Sequence, residues 1–339
     1  MPAVSVILPC YNAEKTLEET LDSLSRQTLA DFEVIAVDDG SEDATGRMLK
    51  TRAGVDRRFR VWTQPHAGVI AAANAAIAAC RAPYIARIDA DDLAHPQRLE
   101  KQAAYLEQHP DVAVVSSLVR GFPTEDVREG FRIYIEWLNA LVSDADIRRE
   151  IFVESPLPNP SVMLRADWLR QMGGYHERGW PEDYDLYLRL YLAGARFAKI
   201  PEILLDWREH PQRITRPDSR YSLENFLRAK AHYLMRGPLI GRDAVIIWGA
   251  GMMGRRLSKH LMRTEGAPVE VFVDIDPRKI GNTRRGKPIV AADDLLAWWR
   301  RYQNPVVLAA VGARHARSIV RERLTNFGLR EAVDWWAVA

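Results

Sequence analysis

Cysteine is nearly absent from this 339-residue chain, with Cys10 and Cys80 the only two. Two cysteines make no disulfide framework, and a reducing compartment such as the cytosol fits them. No apolar run reaches membrane-spanning length. The closest, residues 68–80, is Ala-rich and interrupted by Asn74. The N-terminal MPAVSVILPC lacks the basic start and small-residue cleavage site of a signal peptide. These absences argue against a membrane-crossing protein and leave room for peripheral attachment at the inner face of a membrane. No internal repeat or low-complexity tract occurs, and nothing calls for a nucleic-acid partner.

What is present is a soluble-type mixture, 47% hydrophobic and 27% charged, long enough for two domains. The net charge of +2 hides an asymmetry. Residues 1–236 carry 30 Lys and Arg against 35 Asp and Glu, whereas residues 237–339 carry 17 against 10. An acidic part with clustered carboxylates suits a metal site; a basic part suits a phosphate-bearing or anionic-membrane partner, or is solvated surface. Gly237-Pro238 and Gly241 mark the boundary, giving domains 1–236 and 237–339.

The first part alternates strands and helices. Strands are expected at 4–8, 32–37, 60–63 and 84–88. A helix begins at Thr16, where Thr16 and Glu19 form a capping box, and an Ala-rich helix covers 69–80. Such alternation argues a parallel open α/β sheet, with ligands bound beyond the carboxyl ends of its strands. Acidic clusters sit at those ends: Asp38-Asp39 after the second strand and Asp89-Ala90-Asp91-Asp92 after the fourth. Asp89 and Asp91 share one side of an extended strand end, and their hard oxygens suit Mg²⁺ or Mn²⁺ with a ligand's phosphates completing the shell. The competing reading is an acidic turn in which Asp92 caps a helix through 96–106.

Several motifs occur in order. They are Val4-Ser5-Val6-Ile7-Leu8-Pro9-Cys10-Tyr11-Asn12, Val37-Asp38-Asp39-Gly40-Ser41 and Ala86-Arg87-Ile88-Asp89-Ala90-Asp91-Asp92, the last running on through His95-Pro96-Gln97-Arg98-Leu99-Glu100-Lys101-Gln102. Asn159-Pro160-Ser161, Gly173-Gly174-Tyr175 and Pro181-Glu182-Asp183-Tyr184-Asp185 follow. Together they resemble the inverting family 2 glycosyltransferases with a GT-A fold, over about two-thirds of the chain. The resemblance implies transfer of a sugar from a nucleotide diphosphate donor, UDP-linked, to a hydroxyl of a glycan or lipid-linked acceptor. Its setting would be polysaccharide assembly at the cytoplasmic side. Pro9, Tyr11 and Asp39 would line the nucleotide pocket, Tyr11 offering a ring face and Asp39 accepting from a uracil imide. Asp91, assisted by Asp89, would hold the metal on the diphosphate. Asp183 would be the base for the acceptor hydroxyl, or else cap the helix it opens. Asp185 is its local competitor and is expected on the helix surface. Arg87 would touch a phosphate or form a surface ion pair. His210 would reach the metal or be a surface histidine. Glu154 and Trp137 would meet the acceptor, though Trp137 reads first as core.

The last part begins with strand 244–248, then Gly249-Ala250-Gly251-Met252-Met253-Gly254 opening a helix, then a strand ending at Asp274. This strand, turn and helix with an acid twenty residues on is the dinucleotide fingerprint. Gly249, Gly251, Gly254 and Asp274 therefore make a second nucleotide site, for NAD(P) or another nucleotide, or a scaffold of Rossmann-like form. Two rival functions follow: an NAD(P)-dependent sugar oxidoreductase working through this part, and a non-catalytic nucleotide-sugar sensor. The oxidoreductase lacks a catalytic set here. The Glu182-Asp183 pair argues against the sensor.

Overall fold

The computed structural model describes residues 1–339 except Pro211, Gln212, Ile214, Thr215 and Pro217, together with the side chain of Arg314. The contacts divide the chain into two compact units. The first comprises Met1–Ile147, Pro156–Arg178 and Glu182–Pro217; the second comprises Arg148–Ser155, Gly179–Pro181 and Asp218–Ala339.

The first unit is built on an eight-stranded sheet of order β3-β2-β1-β4-β7-β6-β8-β5. Its strands are β1 (Val4–Cys10), β2 (Phe32–Asp38), β3 (Phe59–Thr63), β4 (Tyr84–Arg87), β5 (Leu93–Ala94), β6 (Val112–Phe122), β7 (Met163–Arg165) and β8 (Arg196–Arg208). β1, β2, β3 and β4 run parallel, as the alternating pattern implies. β7 is antiparallel to both β4 and β6, and β5 is antiparallel to β8, so the sheet is mixed beyond β4. β1 and β2 are buried along their whole length, which is why they read as mostly apolar runs rather than alternating ones; their polar residues Ser5 and Glu33 bond each other (2.8 Å). Helices Leu17–Ser25, Thr45–Val55 and Val69–Ala79 connect the parallel strands.

Two capping expectations fail. Thr16 stands at the N-cap of Leu17–Ser25, but its hydroxyl makes no cap bond. It donates instead to the Ala90 carbonyl (3.0 Å). Asp92 does not cap the next helix, Arg98–Gln108, whose N-cap is Gln97. The Asp92 carboxyl turns inward and accepts the Arg208 N–H (2.8 Å). In both cases a long-range partner displaced the local one.

The second unit holds β9 (Ala244–Trp248), β10 (Val269–Asp274), β11 (Thr283–Arg284), β12 (Lys287–Ala291), β13 (Pro305–Ala309) and β14 (Trp335–Ala337), in the order β11-β12-β10-β9-β13-β14. All pairs are parallel except β11 with β12. The five parallel strands follow the doubly wound order of dinucleotide-binding sheets without its sixth strand. The second unit takes in Asp218–Ala339, so its contacts begin before Gly237. Helix Leu223–Met235 packs on helix Met252–Arg263, and Glu224 bonds both Lys259 (2.7 Å) and His260 (2.9 Å), so it belongs with the second core.

The glycine turn is closely fitted. Gly249 has φ +113°, and a Cβ on Gly254 would lie 1.9 Å from the Gly249 carbonyl oxygen, while one on Gly251 meets nothing within 4 Å. Thermal unfolding of the full chain should therefore separate the two positions. Gly254→Ala should lose roughly 1–3 kcal/mol through overpacking, and Gly251→Ala should stay within about 0.5 kcal/mol of the parent. Equal losses at both would contradict this account of the turn.

Candidate active site

The carboxyl ends of β1, β2 and β4 bring three loops together in the first unit. The loop after β1 is laced to the loop after β2. Asn12 N–H donates to Ser41 Oγ (3.0 Å), Ala13 N–H to Thr45 Oγ1 (2.7 Å), and Glu42 N–H to Asn12 Oδ1 (2.9 Å). Pro9 is buried within β1, and Tyr11, just past the strand end, is half exposed. The Tyr11 ring stacks on His66, with centroids 3.9 Å apart and planes 25° from parallel.

His66 is a residue that sequence reasoning missed, and Asp39 explains its position. Asp39 is buried and holds the loop 64–68 from beneath. Its Oδ1 accepts from Gln64 Nε2 (2.6 Å) and the Ala67 N–H (3.0 Å), and its Oδ2 accepts from the Gly68 N–H (2.8 Å) and pairs with His66 Nδ1 (2.9 Å). Three donors bond the carboxylate, and His66 Nδ1, close to Oδ2, bonds the Asp39 main-chain carbonyl (3.1 Å). Asp39 thus organises the loop and the His66 ring.

The acidic turn after β4 resolves its own repulsion in three ways. Asp89 Oδ1 accepts from Arg87 Nε (2.9 Å) and from its terminal nitrogen (2.7 Å). Arg87 is buried while the Asp89 side chain is partly exposed, so the pair joins a buried guanidinium to a carboxylate at the edge of the site. Asp91 Oδ2 meets His210 Nε2 at 2.9 Å, both side chains partly exposed. Asp92 is fully buried; burial first, then the Asp91 and Asp89 charges, push its carboxyl well above the usual range.

Hydrogen bonds from distant elements fix this turn. Thr20 Oγ1 donates to the Asp92 carbonyl (2.9 Å), and Arg208 Nε donates to the Asp91 carbonyl (2.6 Å). The buried Arg98 donates to the Arg87 carbonyl (2.6 Å), and Gln102, one helical turn on, donates to the Ser161 carbonyl (2.8 Å). The Arg98 and Gln102 positions of the motif are therefore braces for the strand end. Sequence offers one signal for them: charged and amide residues at i, i+4 beside apolar Leu99 and Leu106.

The Glu182-Asp183 pair opens helix Glu182–Leu192. Asp183 is half-buried, and its Oδ1 accepts the Tyr184 N–H (2.7 Å). Tyr175 connects it with the β4 turn. Its ring lies 5.7 Å from the Arg87 guanidinium, and its hydroxyl donates to Asn159 Oδ1 (2.9 Å). Burial raises the Tyr175 phenol, Arg87 opposes this, and Glu182, Asp183 and Asp89 lie near enough to raise it further.

Asp185 departs from expectation. It is completely buried, not on the helix surface, and pairs with Arg189 (2.7 Å). Arg189 also donates to the Met172 (2.6 Å) and Gly174 (2.8 Å) carbonyls. Trp137 lies partly buried against the core, stacked on Tyr134 with centroids 5.8 Å apart. Glu154 belongs to the second unit, where burial raises its carboxyl and Lys230 lowers it. There too, Asp274 is bonded within the fold: Oδ2 accepts from the Ala250 N–H (2.9 Å) and Lys279 (3.1 Å), and Oδ1 from the Ile275 and Asp276 N–H groups (2.9 Å each).

For a metal, Asp91 Oδ2 and His210 Nε2 lie 2.9 Å apart and would share one ion; the carboxylate oxygen suits Mg²⁺ or Mn²⁺, and the imidazole nitrogen favours Mn²⁺ of the two. Among the described residues no group of three or more His, Cys, Asp or Glu could hold an ion. Oxygens of a bound ligand would have to complete the shell. Both cysteines are free and buried. No helix is long and apolar enough to cross a membrane, among the described residues.

Comparison with known proteins bears on this arrangement. The model of glycosyl transferase family 2 matches residues 5–172. EpsE of Bacillus subtilis (strain 168), named as a glycosyltransferase, is 34% identical over 229 residues, covering 66% of this chain and 79% of EpsE. The amylovoran biosynthesis glycosyltransferase AmsE of Erwinia amylovora is 31% identical over 204 residues, covering 59% and 74%. Among solved structures, S. aureus TarS 1-349 in complex with UDP-GlcNAc aligns with a TM-score of 0.58 at 20% identity, covering 78% of this chain and 72% of that one.

The buried Asp185 gives a stability prediction. Asp185→Asn leaves Arg189 without its carboxylate, and breaking a buried pair costs about 3–5 kcal/mol. A large fall in Tm is expected, and an unchanged Tm would show that the pair is dispensable.

Proposed function

From the premise that the chain belongs to the family 2 glycosyltransferases, we propose that it moves a sugar, with inversion, from a UDP-linked donor to a hydroxyl of a glycan or lipid-linked acceptor. One observation carries the reading. The Asp89–Asp92 turn and the Glu182-Asp183 helix start, ninety residues apart, come together around Arg87 and Tyr175. That proximity supports reading the turn as the donor-phosphate side of a site and Asp183 as its base. The AmsE name supports a polysaccharide setting, and the TarS structure holds UDP-GlcNAc on a similar fold.

The Tyr11–His66 stack serves as the platform for the base of the nucleotide, and Asp39 keeps His66 and its loop in place. Asp91 and His210 would hold a Mg²⁺ or Mn²⁺ ion together with the donor's phosphates. Such an ion, when bound, supplies Lewis-acid stabilisation to the leaving nucleoside diphosphate. Asp89, held by Arg87, contributes negative field and orientation to the turn. Asp183 takes the proton of the acceptor hydroxyl as that oxygen attacks the anomeric carbon. Attack from the face opposite the diphosphate inverts the configuration there. The Tyr184 N–H on Oδ1 holds the carboxylate in position. In the second unit, Asp274 and the glycine turn act as a scaffold, because Asp274 is already bonded to the turn it would need to open.

Two measurements test this. Asp183→Asn should lower release of UDP from a panel of UDP-sugars by roughly 10²–10⁴-fold, in kcat and kcat/KM together. Its UDP affinity should be unchanged by calorimetry. Full turnover in this variant would remove Asp183 as the base. His210→Ala and Asp91→Asn should each weaken UDP binding in Mn²⁺ by at least about tenfold and leave binding in EDTA as in the parent. A loss of equal size in EDTA would exclude a metal-linked role.

A further inference from the structure

The second unit gathers five arginines on helix Met252–Arg263 and the β11–β12 hairpin: Arg255, Arg256, Arg263, Arg284 and Arg285. Among the described residues, none of them has a carboxylate within ion-pair distance, unlike the neighbouring cations. Lys259 and His260 are bonded to Glu224, and Lys287 to Glu270.

Three unfavourable features meet at this place. The first is like-charge crowding. The Arg285 guanidinium is pulled below its usual range by burial first, then by Arg263, Arg255 and Arg284, with only Glu224 opposing. Its nitrogens find neutral partners alone, Ser258 Oγ (3.2 Å) and the Arg255 carbonyl (2.9 Å). The second is an orphaned donor: Arg284 Nε is buried and has no hydrogen-bond partner among the described residues. A buried donor left unpaired is a standing penalty. The third is backbone strain. Arg284 pairs with Lys287 across a two-residue turn in which Arg285 has φ +52° and Gly286 φ +76°. A turn with both central residues left-handed favours Asn-Gly or Asp-Gly, and a long side chain is disfavoured at its first position.

An anion with several acceptor oxygens would relieve the crowded charge and pair the orphaned guanidinium N–H, and would offset the cost of holding an arginine in a place suited to asparagine. We propose that Arg255, Arg263, Arg284 and Arg285 form a binding site for a phosphate group, separate from the donor site of the first unit. Phosphate chemistry is common to soluble phosphates and to phospholipid headgroups. The inference stands on the second unit alone and does not depend on the assignment of Asp183 or Asp91.

The test uses the full chain, the variant Arg285→Asn and, independently, Arg255→Ala. Asparagine fits the turn, so Arg285→Asn should fold with a Tm equal to or above that of the parent. Binding is measured by calorimetry with inorganic pyrophosphate in EDTA, and by co-sedimentation with vesicles of phosphatidylcholine alone or mixed equally with phosphatidylglycerol. The parent should bind pyrophosphate, or the phosphatidylglycerol vesicles only, and both variants should bind at least about tenfold more weakly. Pyrophosphate binding identifies a soluble ligand; binding to phosphatidylglycerol vesicles alone identifies a headgroup. A parent that binds neither, or variants that bind as well as the parent, would overturn the proposal.

Discussion

Three carboxylates within four residues at one strand end repel one another, and the way each is answered shapes the first unit. Asp89 is answered by a buried arginine, Asp91 by a histidine from β8's end, and Asp92 by burial that favours its protonated form. Each answer recruits a different segment. Arg87 brings Tyr175 with it, and Tyr175 brings the Asn159 turn and the start of helix Glu182–Leu192. The backbone of the turn is tied to helix Leu17–Ser25 through Thr16 and Thr20, and to β8 through Arg208. Asp91 is left as the partly exposed acid of the turn that faces a histidine, with a rigid backbone behind it. Such preorganisation lets a site bind a diphosphate without reorganising at the moment of reaction.

Much of this frame was legible because it rests on local, repetitive signals. β1 and β2 announce themselves as largely apolar, β-branched runs, and the acidic clusters fall at strand ends, where open α/β sheets bind ligands. The glycines at 249 and 254 were legible for a similar reason, since a strand, a tight turn and a close-packed helix permit little else. What escaped was decided by partners far away in the chain. Thr16 and Asp92 have every local reason to cap helices, yet the Ala90 carbonyl and the Arg208 N–H claim them. Asp185 follows the same rule: an acid in a helix's first turn reads as surface until Arg189 and the Gly174 turn enclose it. His66 had no motif to mark it, and only the folded loop sets its ring on Tyr11.

The domain boundary was hidden by a different cause. Gly237-Pro238 is a good break in a linear reading, but the second core also draws on residues 148–155. Glu150 there pairs with Arg317 (3.1 Å) and Arg321 (2.7 Å), and Lys230 reaches the Val153 (2.6 Å) and Val338 (3.2 Å) carbonyls. Non-contiguous pieces leave no signal in composition. Glu154, which reads from sequence as an acceptor-side acid, is part of this second core.

In the proposed mechanism, Asp91 and His210, joined by a donor diphosphate, form one divalent-ion site at the end of β4. Pulsed electron paramagnetic resonance on Mn²⁺ with UDP and the full chain addresses it directly, because imidazole nitrogen and phosphate phosphorus each couple to the ion. Both couplings should appear together in the ternary complex, with the nitrogen coupling absent when UDP is withheld. A Mn²⁺–UDP complex bound to the protein without nitrogen coupling would contradict the site as described.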